Sequence, residues 1–292
     1  MISATDLILN PDGTVYHLHL APHQIASTII TVGDPERVAQ ISSRFSVIEY
    51  RVQNREFLTH TGVFNGKRLT VISTGIGTDN IDIVLNELDA LVNIDLGTRT
   101  IKDTVTPLTF VRIGTSGSLQ KDLPVDSLLV SSYAVGLDSL MHFYQVESTA
   151  KEATMADFMM DYFEKRSELL LMPYVFDADK DLLASFTHPD VVRGVTVTCP
   201  GFYAPQGRSL RGKTEDPKFL ASLVAFKYQG LRLNNIEMET AAIYGLSRLL
   251  GHQAISFNAI LANRLDHSFS INPQKTVDGL ISLVLEWLTR QD

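Results

Sequence analysis

The feature that most constrains this chain is a recurring unit in which a short β-branched apolar run meets a glycine turn and a helical pattern follows. Thr28–Val32 runs into Gly33-Asp34-Pro35 and a helix expected over Glu36–Ser43, with Asp34 as its N-cap and Pro35 as its opening residue. Leu69–Ile72 leads through Ser73-Thr74-Gly75-Ile76-Gly77-Thr78 to a helix expected over Asn80–Val92, on which Ile81, Val84, Leu85, Leu88 and Leu91 form one apolar face. Leu108–Ile113 leads to a turn expected at Gly114-Thr115-Ser116-Gly117, followed by a strand at Ser127–Ser132. Strands followed by helices predict a mixed, mainly parallel sheet covered on both faces, a single three-layer α/β/α domain over residues 1–292. Ligands of such sheets sit beyond the carboxyl ends of the strands, where helix N-termini present free N–H groups. The three glycine turns are therefore expected on one rim.

From about Gln145 to Asp181 the pattern reads as helical, with Met155, Phe158, Met159, Met160, Tyr162 and Phe163 as core and Pro173 as a break. Further strands are expected at Val191–Cys199 and Ala254–Leu261, and helices at Ala241–Leu250 and Thr276–Thr289. The formal charge of −8 disfavours nucleic acid and anionic membranes, so an anionic ligand must be caught by local geometry. Cys199 is the single cysteine, which excludes an intramolecular disulfide and suits a reducing cytoplasm. The N-terminus lacks a basic segment followed by an apolar one, and no apolar run nears the roughly 18 residues of a membrane span. A soluble, unprocessed cytoplasmic protein is expected.

Gly75-Ile76-Gly77 starts like a dinucleotide fingerprint, but Asn80 stands where the third glycine belongs, and no Gly-Lys-Ser/Thr follows any glycine run. Histidine and cysteine show no metal-ligand spacing, so no metal is expected. Arginine is better placed: Arg37 follows Gly33 by four residues, Arg112 precedes Gly114 by two, and Arg55 stands in Asn54-Arg55-Glu56-Phe57. Its planar fork of donors suits phosphate, and Arg112, ending an apolar strand, needs a partner if it is buried. In Asn235-Ile236-Glu237-Met238-Glu239-Thr240, a helix capped by Thr240 would leave Glu237 and Glu239 projecting together from extended chain. Such a pair can accept hydrogen bonds from sugar hydroxyls, act as acid and base, or face solvent.

Val32-Gly33-Asp34-Pro35-Glu36-Arg37, Arg55-Glu56-Phe57, Ser73-Thr74-Gly75-Ile76-Gly77, Arg112-Ile113-Gly114-Thr115-Ser116-Gly117 and Glu237-Met238-Glu239, in this order, resemble the signature of the hexameric-type nucleoside phosphorylases, most closely the uridine phosphorylase branch. The resemblance runs from about Tyr16 to the C-terminal helix and weakens over about 145–190, which reads as an inserted or divergent stretch. It implies phosphate binding by Gly33, Arg37, Arg112 and Thr115, with Arg55 from a neighbouring subunit. It implies ribose binding by His17 across the same interface and by Thr115, Glu237, Met238 and Glu239. Phe202 then packs on the base, Gln206 and Arg208 read the uracil edge, and Arg264 stands near the base. A homo-oligomer follows, either a hexamer built as a trimer of dimers or a dimer.

Inorganic phosphate is the implied co-substrate, attacking C1′ of a pyrimidine ribonucleoside with no organic cofactor and no covalent intermediate. Some members hold a monovalent cation near the position of Glu56, but Thr78-Asp79-Asn80 departs from their Gly-Pro-Ser. The base loop Ala204-Pro205-Gln206-Gly207-Arg208 also departs from Pro-Gly-Gln-x-Arg, and His19 has no counterpart. Purine-cleaving members resemble Ser-Asp where this chain has Ala262-Asn263-Arg264, although Asp266 lies close by. The arginine cluster favours phosphorolysis over hydrolysis by a nucleosidase, and its presence with Glu239 disfavours a catalytically silent nucleoside-binding protein. Removing Arg112 is expected to reduce phosphate-dependent turnover roughly 10- to 150-fold with the fold retained.

Overall fold

The structure, a computed structural model, describes residues 1–290. β1 (Thr28–Val32) enters α1 (Pro35–Ser42), then β2 (Val47–Asn54), β3 (Phe57–Phe64) and β4 (Lys67–Ser73) follow as a meander. α2 (Thr78–Asn93) precedes a small hairpin of β5 (Ile94–Asp95) and β6 (Thr100–Ile101). β7 (Thr109–Ser118) and β8 (Leu128–Gly136) lead to α3 (Ala150–Glu164), β9 (Tyr174–Asp177), α4 (Lys180–Ser185) and β10 (Val191–Thr198). The chain continues through α5 (Phe219–Ala225), β11 (Lys227–Tyr228), β12 (Leu231–Glu237), α6 (Thr240–Leu250), β13 (Gln253–Asn263), β14 (Ser268–Phe269) and α7 (Pro273–Thr289).

The main sheet has the order β11-β12-β10-β8-β13-β7-β1-β4-β3-β2. Its middle is parallel: β1 pairs with β4 and β7, β13 with β7, and β10 with β8 and β12. β8 also runs antiparallel to β13, and β12 bends back to pair antiparallel with β7 at Asn235/Ser118 and Ile236/Gly117. β7, β13, β8, β10 and β12 thereby close into a five-stranded barrel, and the rest of the sheet extends from β7 as an open wing.

β1 is buried along its whole length, as a β-branched strand covered by helices on both sides must be. Val38 and Ile41 of α1 and Leu280, Ile281, Val284 and Leu285 of α7 cover one face over Ile30, Val71 and Val111. Ile81, Val84, Leu85 and Leu88 of α2 and Ile243 and Leu246 of α6 cover the other over Ile29 and Phe110. Each such fully buried aliphatic side chain contributes about 1.5–3 kcal/mol relative to exposure. α1 begins as its sequence dictates, with Asp34 accepting from Glu36 N at 2.9 Å and Pro35 in the first turn. The expected three-layer α/β/α architecture with a mixed, mainly parallel sheet is what the chain forms. No helix among the described residues is long and apolar enough to cross a membrane.

Four local expectations are corrected. Gly114-Thr115-Ser116-Gly117 is no turn but the second half of β7, which passes between β13 and β12 as a barrel stave. Its glycines serve close packing, not reversal. The stretch 145–181 is not continuously helical: after α3 the Tyr174-Val175-Phe176 run pairs with β8 as β9. Within α3, Met155, Met159 and Phe163 are core, whereas Phe158 and Met160 are exposed. Finally, Glu239 and not Thr240 holds the N-cap position of α6. The capping oxygens come from Glu237, which accepts from Thr240 N at 3.0 Å and from Thr240 Oγ1 at 2.8 Å.

The stretch over 145–190 is anchored to this frame by charge. Arg248 of α6 donates to both oxygens of Glu152 on α3, at 2.7 and 2.8 Å, and Glu152 also accepts from Asp177 N at 2.7 Å. These bonds hold the Glu152 carboxyl down at about 2 against the opposing effect of burial. Tyr174 of β9 lies over Gly136, where any side chain would collide with its ring, and its hydroxyl donates to Asp138 at 2.7 Å.

Candidate active site

The three glycine segments do meet on one rim, lining a cleft of about 510 Å3. Gly33 and Arg37 enter from the β1–α1 turn, Ile76 from the β4–α2 turn, and Arg112 with Gly114–Gly117 from β7. Glu237, Met238 and Glu239 enter where β12 passes into α6, and Phe202, Gln206 and Arg208 from the loop after β10. Ten of the sequence-assigned residues are therefore neighbours in space: Gly33, Arg37, Arg112, Thr115, Phe202, Gln206, Arg208, Glu237, Met238 and Glu239.

At one end Arg112 is held between carboxylates. Its Nη2 lies 2.6 Å from Glu239 Oε2 and 2.9 Å from Glu237 Oε2, and its Nη1 donates to Asn258 Oδ1 at 3.0 Å. Glu239 also accepts from Gly77 N at 2.9 Å, at the start of α2. Gly77 has a φ of 103°, so glycine is required where the chain turns that N–H onto the carboxylate. Gly114 is needed for another reason: a Cβ there would stand 2.0 Å from Arg112 Nη1, in the space that the guanidinium fills. Burial works against the charge on Arg112, but Glu237 and Glu239 outweigh it and raise its pKa. Burial raises the Glu239 carboxyl, opposed by Arg112 and reinforced by Glu237. Arg37 stands deeper toward β7, donating to Ile113 O at 3.4 Å, and burial lowers its pKa.

The other end holds two guanidinium groups. Arg208 packs on Phe202 with its Cζ 3.7 Å from the ring centroid, and donates to Phe202 O and to Gln206 Oε1, both at 2.6 Å. Arg264, from the end of β13, lies behind the cleft wall and donates to Gln206 O at 2.8 Å. Gln206 is thus clamped between two arginines and buried, whereas Phe202 is half exposed. Among the described residues neither arginine forms an ion pair with a carboxylate. Burial and the Arg264 charge push Arg208 down to about 10.

His17 and Arg55 do not reach this cleft. His17 Nδ1 lies 2.6 Å from Glu87 Oε1 of α2, and Asn54 Nδ2 donates to His17 O at 2.8 Å. Arg55, left-handed at φ 54°, sits in the β2–β3 turn with its guanidinium 5.4 Å from the Tyr16 ring. The two therefore form a separate cluster on the surface of the same subunit. Glu56 also lies outside the cleft, beside Gly75, where an added Cβ would stand 3.3 Å from its side chain. Asp266 is exposed and outside the cleft, its N–H bound to Asn263 Oδ1 at 3.2 Å.

The cleft also contains residues to which the sequence assigned no role: Ile76, Ser116, Ile236, Leu261 and Phe269. Ser116 lay within the Arg112–Gly117 motif, but Phe269 carried no local signal. Ile76 and Phe269 expose large apolar surfaces, 66% and 63%, at the mouth.

With this geometry in hand, comparison with known proteins is specific. The phosphorylase superfamily pattern matches residues 27–278. Uridine phosphorylase of Thermococcus kodakarensis is 30% identical over 281 residues, 94% of this chain and 88% of its own. A DeoD-type purine nucleoside phosphorylase of Myxococcus xanthus is 26% identical over 278 residues, 92% of this chain and 95% of its own. A Trypanosoma brucei nucleoside phosphorylase described as showing uridine phosphorylase activity superposes with a TM-score of 0.87, at 28% identity over 98% of this chain and all of its own. This chain thus belongs to the phosphorylase superfamily, as an enzyme of the pentosyl-transferring, nucleoside phosphorylase kind.

Proposed function

We propose that the chain catalyses phosphorolysis of a pyrimidine ribonucleoside, converting uridine and phosphate to uracil and ribose 1-phosphate. The observation that carries this reading is the polarity of the cleft: buried carboxylates beside arginine at one end, and Arg208 with Arg264, clamping Gln206 and paired with no acid, at the other. Phosphate binds at Gly33, Arg37, Arg112 and Thr115, where planar donors and backbone N–H groups suit a tetrahedral dianion. Glu239 accepts from the ribose hydroxyls, and Met238 and Glu237 complete that wall. As the C1′–N bond lengthens, positive charge grows on the sugar beside the carboxylates and negative charge on the base beside Arg208 and Gln206. Both gains are larger in the transition state than in the ground state, which is what accelerates the step.

His17 and Arg55 share one surface cluster, away from their own cleft, and we assign them to the cleft of a second subunit, for the ribose and the phosphate respectively. The enzyme then works as a homo-oligomer, a dimer or a trimer of dimers. One buried cysteine suits a reducing cytoplasm as its compartment. The purine alternative needs an acid poised over the base, and the neighbouring acid Asp266 is exposed outside the cleft, while Arg264 supports Gln206 instead.

A panel of uridine, thymidine, inosine and adenosine, each with and without phosphate, tests the reading. Release of uracil from uridine that requires phosphate is expected. Faster cleavage of inosine would shift the assignment to purines, and phosphate-independent cleavage would make the chain a nucleosidase.

A further inference from the structure

Inside the barrel, below the cleft, runs a belt of buried polar side chains to which the chemistry above gives no task. Arg112 Nη1 donates to Asn258 Oδ1 at 3.0 Å, and Asn258 Nδ2 donates to Ser131 Oγ at 3.2 Å. Ser131 Oγ lies 2.5 Å from Thr196 Oγ1, which donates to Asn235 Oδ1 at 2.8 Å, and Asn235 Nδ2 donates to Ser116 Oγ at 2.9 Å. The belt crosses all five staves, β7, β13, β8, β10 and β12, and returns to β7, so that it begins and ends at the cleft. Asn258, Ser131, Thr196 and Asn235 are fully buried.

Its direction is fixed by chemistry. A guanidinium can only donate, so Asn258 must turn its carbonyl oxygen to Arg112 and its amide hydrogens to Ser131. Thr196 spends its proton on Asn235 Oδ1, so it is Ser131 that donates to Thr196, and the Asn235 amide donates to Ser116. Every donor points the same way. Ser116 is left as an acceptor whose own proton is free for the cleft.

We propose that Asn258 is a positioning residue for anion binding at Arg112, and that the belt is what holds it in that role. Two carboxylates pull on Nη2 alone and leave the guanidinium free to pivot about that corner. A fixed acceptor on Nη1 removes the pivot, and the belt prevents the Asn258 amide from flipping, since a flipped amide would place N–H against N–H at Arg112. The inference rests on the phosphorolysis reading for its ligand, and adds a determinant of phosphate affinity remote from the substrates. An apolar barrel interior would fill the same space, so polar residues there answer to orientation and not to packing alone.

The test uses Asn258→Asp and Thr196→Val in the full chain. Thr196→Val is close to isosteric, touches neither Arg112 nor Ser116, and cuts the belt in its middle. The phosphate KM is expected to rise at least fivefold in Asn258→Asp and about threefold in Thr196→Val, in each case more than the nucleoside KM. Wild-type phosphate KM in both, with a lowered melting temperature, overturns the proposal and leaves the belt a purely structural feature. If Asn258→Asp fails to fold, Thr196→Val decides by the same criterion. The rise in melting temperature on adding inorganic phosphate gives a readout without turnover. A wild-type protein stabilised by phosphate that cleaves no nucleoside, with variants that are not stabilised, would sink the phosphorolysis reading and keep the belt; normal turnover in all three would do the reverse.

Discussion

Arg112 and Arg208 line one cleft, yet Arg112 meets two carboxylates at 2.6 and 2.9 Å whereas Arg208 meets an aromatic ring and two carbonyl oxygens. The first environment surrounds its cation with two buried carboxyl groups. The second leaves its cation uncompensated and places another, Arg264, close behind it. Burial thus acts differently at the two ends: at Arg112 it is offset by partners that would themselves be stranded without the arginine, while at Arg208 it weakens hold on the proton. The lesson is that Arg112 is part of the fold, whereas Arg208, on the proposed reading, is held ready for a charge that appears only during reaction.

The comparison breaks most visibly at Arg112→Ala. That change orphans Glu237 and Glu239 inside the protein, and losing one partner of a buried ion pair costs about 3–5 kcal/mol. The fold is expected to be retained, but at a lower stability. A melting temperature well below wild type is expected, together with a loss of turnover of at least roughly 10- to 150-fold. The pH dependence has a definite sign. Glu239 already titrates above its ordinary value because of burial, so the native state holds its proton at pH where the unfolded chain has released it. Stability contributed by such a group is present at low pH and lost as pH rises above about 4.5. Without Arg112 the carboxyl rises further, and the melting temperature of the variant should fall more steeply than that of wild type as pH is raised from the ordinary carboxylate range toward neutrality. Parallel melting curves across that range would contradict the account.

At the other end, Arg208→Ala orphans no acid. Its expected signature is the opposite: a melting temperature equal to or slightly above wild type, with kcat for uridine reduced roughly 10- to 100-fold, the effect of losing one charged hydrogen bond to the transition state. Thermal melting beside steady-state kinetics separates the cases. A stability loss matching that of Arg112→Ala would erase the distinction between the two ends.

Much of this contrast was legible before any coordinates. Gly33, Arg37 and the Glu237–Glu239 segment sit at the ends of β–α units, and a parallel sheet brings such ends together whatever else the chain does, whereas Arg112 lies within β7 and reaches them by the length of its side chain. Gly114–Gly117 was misread because glycine announces a turn in local sequence, whereas here it permits β12 and the Arg112 side chain to approach β7 closely. Asn258, Ser131 and Thr196 gave no signal at all. A polar residue alternating with apolar ones reads as a strand's solvent face, and only barrel closure, a contact between β7 and β12 separated by over a hundred residues, turns that face inward. The separation of His17 and Arg55 from their own cleft was likewise beyond reading from periodicity, since it depends on where the β2–β3 turn lies relative to α2.

Gly114→Ala perturbs the Arg112 end without removing any charge. The new methyl would stand 2.0 Å from Nη1, so the guanidinium must swing away from Asn258 and one of the carboxylates. Overpacking of this kind costs about 1–3 kcal/mol, less than deletion of the arginine because the ion pair can re-form off-centre. Turnover should fall about tenfold, between the Arg112→Ala loss and wild type, as expected of misplaced but retained charge. Phosphate titration of turnover locates the defect, and an unchanged phosphate KM would show that Arg112 orientation is tolerant.

The smallest effect is expected at Arg264→Gln, and it isolates the electrostatics of the Arg208 end. Burial and the neighbouring Arg264 charge hold Arg208 at about 10, so its contribution persists through neutral pH and fades as pH rises through that value. Removing the like charge lets Arg208 keep its proton to higher pH, so the alkaline limb of kcat/KM should move upward by a fraction of a pH unit to about one unit. Near pH 7 both forms carry a charged Arg208, and rates should agree within roughly threefold, the spread expected when a partly exposed charge is altered. Uridine itself loses a proton in the alkaline range, but this affects both enzymes equally and cancels in the difference between their profiles. A limb that stays in place would mean that burial alone sets Arg208. A limb that moves downward would mean that the Arg264 bond to the Gln206 carbonyl matters more, through the position it gives to Gln206, than the charge Arg264 brings.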